Sequence, residues 1–399
     1  MKKILLNGVD GNFGSRSARV LLEKYPHEAL IFTAPTKNGL EKYQAMGIET
    51  RIADFNNAEK LTEAFKDADT VILISMPFVG PKRRAAHKIA IDAAVAASVN
   101  KLVYTSIVGA GHEDINAYEV NDHVWTEGYI KKQPIHYLIL RDSQYAEAMV
   151  STFVEAVENT NGIIRNNMGD GKMAFVSRDD CALAAACAAM SDWEDRIVDI
   201  NGAELLTIAQ YMAIASEVTG KKTEYQYIND DEMYEFFDSI GVPRTTEEMW
   251  ADTAKNFPFC SDGMVSFGRA IRLNQMSTFT DDFEKLTGQK PITVREMFED
   301  MENHLKTVGG RKMAEMMNPA LEGATLLFPQ GSFITAYAYT GVEDEIKAYQ
   351  TSAWIGTALM TSPIYDVYGP DAVKLMGQVC TNDFTTLGMN GIRHAVMCN

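Results

Sequence analysis

The chain has 399 residues, 46% of them hydrophobic and 23% charged, with a net charge of −17 at neutral pH. This is an ordinary globular composition, with enough apolar material for more than one core. So acidic a chain repels nucleic acid and anionic membranes, which argues against both as partners and leaves any phosphate site to local geometry.

In chain order, "KILLNG" reads as a short buried strand. "SRSARVLLEKY" then places Ala18, Leu21 and Leu22 at helical spacing. "ALIFTAP" is a second strand closed by Pro35, and "NGLEKYQAMG" a helix ending at Gly47. "IETRIADF" is a third strand, followed by a helix with an Asn start, "NNAEKLTEAFKDA". "DTVILISMP" is apolar throughout, as a central parallel strand should be. A long helix, "KRRAAHKIAIDAAVAASV", leads to a fifth strand, "KLVYTSIVG", and "IHYLILRDS" gives a sixth. This alternation through short connectors indicates an α/β fold with a Rossmann-type parallel sheet over residues 1–150.

From about Ser151 the alternation loosens. "RDDCALAAACAAM" is a helix, "RIVDING" a strand, and "TIAQYMAIASEVTG" a helix capped by Gly220. Residues 229–305 are rich in Asp, Glu, Met and Phe and mostly helical, with a break at "GVPRTT". The expectation is a smaller, mostly helical substrate lobe over 151–305. Gly309, Gly310 and Pro319 mark a linker at 306–318. Residues 319–399 then form a C-terminal, partial α+β segment, which stops just after the strand-like run "RHAVMC" and reads as truncated.

The five cysteines, Cys181, Cys187, Cys260, Cys380 and Cys398, form no CxxC pair. Their odd number fits a reduced compartment. The histidines show no ligand spacing, so no metal site is expected. No secretory leader and no apolar run of about 20 residues is visible, so the expected location is cytoplasmic.

The stretch with chemical content is Gly8-Val-Asp-Gly11-Asn-Phe-Gly14, between the first strand and the first helix. There one glycine permits a tight turn, another lets the backbone approach a pyrophosphate, and a third lets helix pack on strand. Asp10, Asn12 and Phe13 lie in the same loop. The second strand ends without the acid that usually meets the ribose of NAD. Thr36 and Lys37 stand there instead, and a lysine can neutralise a 2′-phosphate, which favours NADP with NAD as the alternative. Asp54 and Phe55 follow the third strand, placed to meet an adenine ring. Ser75, Met76 and Pro77 follow the fourth, and Thr105 and Ser106 end the fifth, where strand C-termini line a ligand crevice.

Residues 1 to about 305 resemble the NmrA-like, atypical short-chain dehydrogenase/reductase family. The likeness is greatest to its triphenylmethane reductases and type-2 quinone oxidoreductases. It rests on "GVDGNFG", "GIETRIADFNNAEKLTEAFKDADTVILIS", "AAVAASVNKLVYTSI", "HYLILRDSQYAE" and "FVSRDDCALAAACAAM", in that order. The resemblance implies a Rossmann domain binding NADP(H) or NAD(H), a small substrate lobe and a cleft between them. It places the nicotinamide near Ser75, Thr105 and the "LRDSQY" segment, which offers Arg141, Gln144 and Tyr145.

Two departures matter. Pro35 stands where NADP-using relatives often carry arginine. The Tyr-x-x-x-Lys pair of ordinary short-chain dehydrogenases is missing, since Tyr118 is followed by Asp122 and Tyr129 by Gln133. Carbonyl–alcohol chemistry is therefore disfavoured, and hydride transfer to a quinone or another conjugated aromatic, whose anion is delocalised, is favoured. Candidate catalytic residues are Tyr145, Ser106 and His123; the last reads either as a proton source or as an exposed helix histidine. A non-catalytic NAD(P)-sensing module is the alternative, and a homodimer is possible.

Residues 318–399 are similar to the start of a glycine-cleavage T-protein (aminomethyltransferase) domain of the tetrahydrofolate-dependent aryl O-demethylase kind. "V-x-GPDA" and Asn382-Asp383 carry that likeness. It implies tetrahydrofolate only with sequence beyond Asn399. The protein would then be the redox half of a bifunctional demethylase.

Overall fold

A computed structural model describes residues 2–53, 55, 57–76, 79–245, 259–301 and 304, together with the backbone of four strands between 326 and 368. The chain divides into two compact units, Met1–Val308 and Gly309–Asn399.

The first unit opens with β1 (Ile4–Leu6), α1 (Asn12–Lys24), β2 (Leu30–Ala34), α2 (Glu41–Ala45), β3 (Glu49–Ile52), α3 (Ala58–Phe65), β4 (Thr70–Leu73), α4 (Pro81–Ala96) and β5 (Lys101–Ile107). Then come α5 (Tyr118–Ile130), β6 (His136–Asp142), α6 (Ala146–Asn159), β7 (Ile163–Asn166), β8 (Lys172–Met173), α7 (Arg178–Met190) and β9 (Arg196–Ile200). Seven strands form one parallel sheet in the order β3-β2-β1-β4-β5-β6-β9. Its central strands are buried on both faces: Leu5, Ile31, Val71 and Leu102 contact one helical layer, and Leu6, Phe32, Ile72 and Val103 the other. The order reverses between β1 and β4, and that switch point is where such sheets open a crevice.

Local signals placed on the sequence recur in the fold. The Asn57 side chain caps α3 by accepting from the Lys60 amide at 3.0 Å. The helix α8 (Ile208–Thr219) ends on Gly220 at φ +71.

The sheet does not end at residue 150, where the sequence put the edge of the Rossmann core. Its seventh strand is β9, reached only after α6, β7, β8 and α7. The alanine-rich α7 buries Cys181, Ala182, Ala185 and Ala189, and side chains this small let it lie close against the sheet layer. It is also stitched to α1, because Asp179 pairs with both Arg16 and Arg19. Helix α5 is not evident from hydrophobic periodicity. It buries Asp122, His123, Thr126 and Glu127 where an amphipathic helix would bury apolar groups.

The rest of the unit is the lobe: β10 (Leu206–Thr207), α8, β11 (Glu224–Tyr227), α9 (Asp230–Ser239), α10 (Ser261–Arg272), α11 (Asp282–Thr287) and α12 (Val294–Glu299). Two small two-stranded sheets join it, β7 with β11 in parallel and β8 with β10 antiparallel. Its core takes Phe267, Met276, Met297 and Phe298 from the Met- and Phe-rich stretch and packs them with Met149, Phe153, Phe175 and Tyr211.

In the second unit the described backbone comprises two antiparallel hairpins, Leu326–Gln330 with Phe333–Ala338 and Trp354–Leu359 with Pro363–Tyr368. The linker at 306–318, the "GPDA" turn and Asn382-Asp383 lie outside the described residues. No helix among the described residues is long and apolar enough to cross a membrane.

Candidate functional site

A cleft of about 1170 Å³ runs along the C-terminal ends of β1, β2, β4, β5 and β6 and is closed on the far side by Met168, Met264 and Phe267 of the lobe. Its first wall is the glycine loop. Gly8 has φ +67, and the Gly11 amide donates to the Gly8 carbonyl at 2.9 Å, which closes a tight turn. A Cβ on Gly14 would stand 2.0 Å from that same carbonyl oxygen. Only glycine lets α1 start this close to β1. Gly11 caps α1 without any side-chain hydrogen bond, and Gly11, Asn12, Phe13 and Gly14 line the cleft, so the N-terminus of α1 borders it. Asn7 fixes the floor, its Oδ1 accepting from the Ile74 amide at 2.6 Å.

The predicted residues fall as follows. Gly8, Asp10, Gly11, Asn12, Phe13, Gly14, Phe55, Ser75, Met76, Thr105, Ser106, His123 and Tyr145 all line the cleft. Thr36 and Lys37 do not. Strand β2 stops at Ala34, and the chain turns outward through an exposed stretch of which Pro35 alone reaches the cleft. Asp54 and Pro77 lie outside the described residues.

His123 is buried rather than exposed. Arg83 Nη1 donates to its Nε2 at 3.3 Å, and Tyr104 Oη lies 2.8 Å from its Nδ1. Since a guanidinium only donates, the proton of the neutral ring sits on Nδ1 and points at Tyr104. Burial, reinforced by the Arg83 charge and by His87, holds the imidazole well below its ordinary pKa. That arrangement makes His123 an acceptor for Arg83 rather than a store of protons. His87 belongs to the same network. It accepts from the Met76 amide at 3.0 Å through Nε2, and burial followed by Arg83 pushes its pKa down to about 3. Together the two histidines and Arg83, which also donates to the Met76 carbonyl at 3.0 Å, hold the loop after β4 in place.

Ser106 is likewise committed, donating to Glu127 Oε1 at 2.7 Å. Glu127 is buried and clamped by Arg141 through Nε at 2.9 Å and Nη2 at 2.7 Å. Arg141 therefore serves the wall behind the cleft.

The end of β6 and the start of α7 differ. Asp142 Oδ1 and Oδ2, Ser143 Oγ, Gln144 Oε1 and Arg178 Nη1 are buried, and none has a hydrogen-bond partner of suitable geometry among the described residues. All four residues line the cleft. Orphaned polar atoms on this scale are costly unless a ligand meets them. Burial raises the Asp142 carboxyl well above the carboxylate range, and the neighbouring Cys181 thiol offsets only part of that. Tyr145 is also raised by burial, with Asp142 adding to the effect, and its ring lies under the Arg178 guanidinium at 4.7 Å. Tyr145 therefore keeps its phenolic proton at neutral pH, and burial biases Asp142 toward its protonated form. Asp142, Ser143, Arg83 and Arg178 were not legible as site residues. Arg178 lies far along the chain at the head of an alanine-rich helix, and nothing local marks it as part of the cleft.

The residues present fit a dinucleotide: a glycine cradle that a Cβ would fill at one end, and unpartnered donors and acceptors at the other. Comparison with known proteins points the same way. Quinone oxidoreductase 2 of Escherichia coli is 28% identical over 251 residues, 63% of this chain and 86% of that protein. The structure of the Citrobacter sp. triphenylmethane reductase complexed with NADP(H) superposes with a TM-score of 0.65 at 25% identity, covering 75% of this chain and 99% of that one. A sesamin methylene transferase from Sinomonas sp. is 46% identical over 80 residues, only 18% of its own length. The NmrA-like family model matches residues 1–297, and the chain belongs to that family.

Proposed function

We propose that the protein is an NAD(P)H-dependent oxidoreductase that passes a hydride to a quinone or another flat, conjugated aromatic acceptor. One observation carries this reading: a single cleft joins the glycine cradle of β1–α1 to the orphaned polar cluster of Asp142, Ser143, Gln144 and Arg178. When bound, NAD(P)H supplies the hydride from its nicotinamide. The chain's residues then do the following. The start of α1 would hold the pyrophosphate, and Met76, braced by His87 and Arg83, would border the nucleotide. Ile107, Met168, Met264 and Phe267 exclude water from the far end and offer an apolar face to a planar ring. Reduction of a quinone consumes one proton with each hydride. Tyr145 keeps its phenolic proton at neutral pH and burial raises the Asp142 carboxyl, whereas His123 and Ser106 have their protons directed at Tyr104 and Glu127.

The test is loss of reduced-nicotinamide absorbance on adding 1,4-naphthoquinone or a cationic triarylmethane dye, with simple ketones as controls. Turnover of the quinone or dye and not of the ketones is expected. Tight nucleotide binding with no turnover of any acceptor would refute the enzyme reading and favour a nucleotide sensor.

A further inference from the structure

The strand that ordinarily carries an acid for the adenosine ribose, β2, ends here in Ala34-Pro35-Thr36-Lys37 with no acid at all. The structure puts one at the same spot by another route. Asp10 sits inside the glycine loop and lines the cleft. Its side chain leans on the end of β2: a Cβ built on Gly39 would stand 2.7 Å from Asp10 Cβ, 3.3 Å from Asp10 Cγ and 3.1 Å from Ala34 Cβ. Gly39 thus leaves room for the Asp10 side chain beside the last residue of β2. The loop is fastened to that strand, the Val9 amide donating to the Thr33 carbonyl at 3.1 Å. The charge of Asp10 is felt locally. It adds to burial in pushing Tyr43, whose hydroxyl donates to the Val9 carbonyl at 3.3 Å, up to about 12.

In doubly wound sheets the end of β2 is where a carboxylate accepts the ribose hydroxyls of NAD, or where a cation meets the 2′-phosphate of NADP. We propose that Asp10 sets the nucleotide choice of this protein: its carboxylate accepts from the adenosine ribose hydroxyls and opposes a 2′-phosphate, so that NADH binds more tightly than NADPH. This rests on the cleft being a dinucleotide site, and it reverses the expectation drawn from Lys37. A phosphate dianion beside a carboxylate in a partly buried wall is a like-charge contact, whereas a ribose hydroxyl is a donor to the same oxygen.

The experiment is titration calorimetry of the full chain with NADH, NADPH, 5′-AMP and adenosine 2′,5′-bisphosphate, repeated on Asp10→Asn and Asp10→Ser, with a thermal melt to show that each variant is folded. The wild type should bind NADH and 5′-AMP at least tenfold more tightly than their 2′-phosphorylated counterparts, and both variants should shrink that ratio tenfold or more. A wild type that prefers NADPH, or a ratio unchanged in both folded variants, overturns the role of Asp10 while leaving the cleft a dinucleotide site. Binding of none of the four ligands overturns the dinucleotide reading itself and the role of Asp10 with it.

Discussion

Replacing Gly14 by alanine tests the glycine cradle most directly. The added Cβ would lie 2.0 Å from the Gly8 oxygen, 2.6 Å from the Gly8 carbonyl carbon and 3.1 Å from Val9 Cα. All three are backbone atoms, so no side chain can swing aside. Reaching an ordinary 3.4 Å contact requires the loop and α1 to part by roughly 1.4 Å. Forced overpacking of this kind costs about 1–3 kcal/mol. If the cost falls on the binding-competent loop, nucleotide affinity drops roughly tenfold to hundredfold, at about 1.4 kcal/mol per factor of ten. Neighbouring glycines grade the prediction. A Cβ on Gly11 would be 3.2 Å from the same oxygen and needs only a small adjustment, while one on Gly8 meets nothing but sits at φ +67, a strain of about 1 kcal/mol. Gly128, inside α5 with open space around it, is the control: Gly128→Ala should leave binding unchanged and stabilise the fold by about 1 kcal/mol. Titration calorimetry with NADH and NADPH, alongside a thermal melt, reads both quantities. A folded Gly14→Ala protein that binds either nucleotide as well as wild type does, or no worse than Gly11→Ala, refutes the reasoning.

Two further expectations concern stability. Asp180 is buried and its pKa is raised to about 6, chiefly by burial, although it accepts from the Ile292 amide at 2.9 Å. A carboxyl whose folded pKa lies above its unfolded one contributes fully below the unfolded value, near 3.9, and loses that contribution as pH rises through 6. Asp180→Asn should therefore gain up to about 3 kcal/mol relative to wild type at about pH 8 and nothing at about pH 3.5, as read by urea unfolding; an equal effect at both would contradict the assignment. Removing the Glu127 carboxylate leaves Arg141 without its clamp, so Glu127→Ala should cost about 3–5 kcal/mol and Glu127→Gln clearly less. A loss below about 0.5 kcal/mol in urea unfolding would mean that the pair behaves as a surface one.

The cradle was readable because its demands are local: three glycines at fixed spacing between a strand and a helix say what the backbone must do. The sheet was readable through β6 because strands and helices alternate through short connectors and the central β1, β2 and β4 are buried along their whole length. What escaped was set by distance in the chain. The strand "RIVDING" was visible, but its place in the sheet as β9 was not, because it follows a long excursion; α5 hides behind polar residues that are buried because they bond groups on other elements. His123 looked like a surface histidine on its own helix, and only Arg83, from another helix, makes it a buried acceptor. Lys37 shows the limit of position in sequence: the turn after Ala34 carries it to the surface, outside the cleft lining, while Asp10 of the glycine loop lines the cleft near Ala34.

The path of the chain between β6 and β9 has an evolutionary consequence. The polypeptide leaves the sheet at Asp142, builds α6, β7 and β8, returns through α7 to lay down β9, and departs again at Ile200. The lobe that borders the far side of the cleft is therefore woven into the sheet-bearing half at several crossings, with Arg178 at the head of α7 also lining the cleft. Such a lobe cannot be exchanged as a cassette by recombination at one junction. In this architecture the far wall of the cleft changes by substitution in place, one residue at a time.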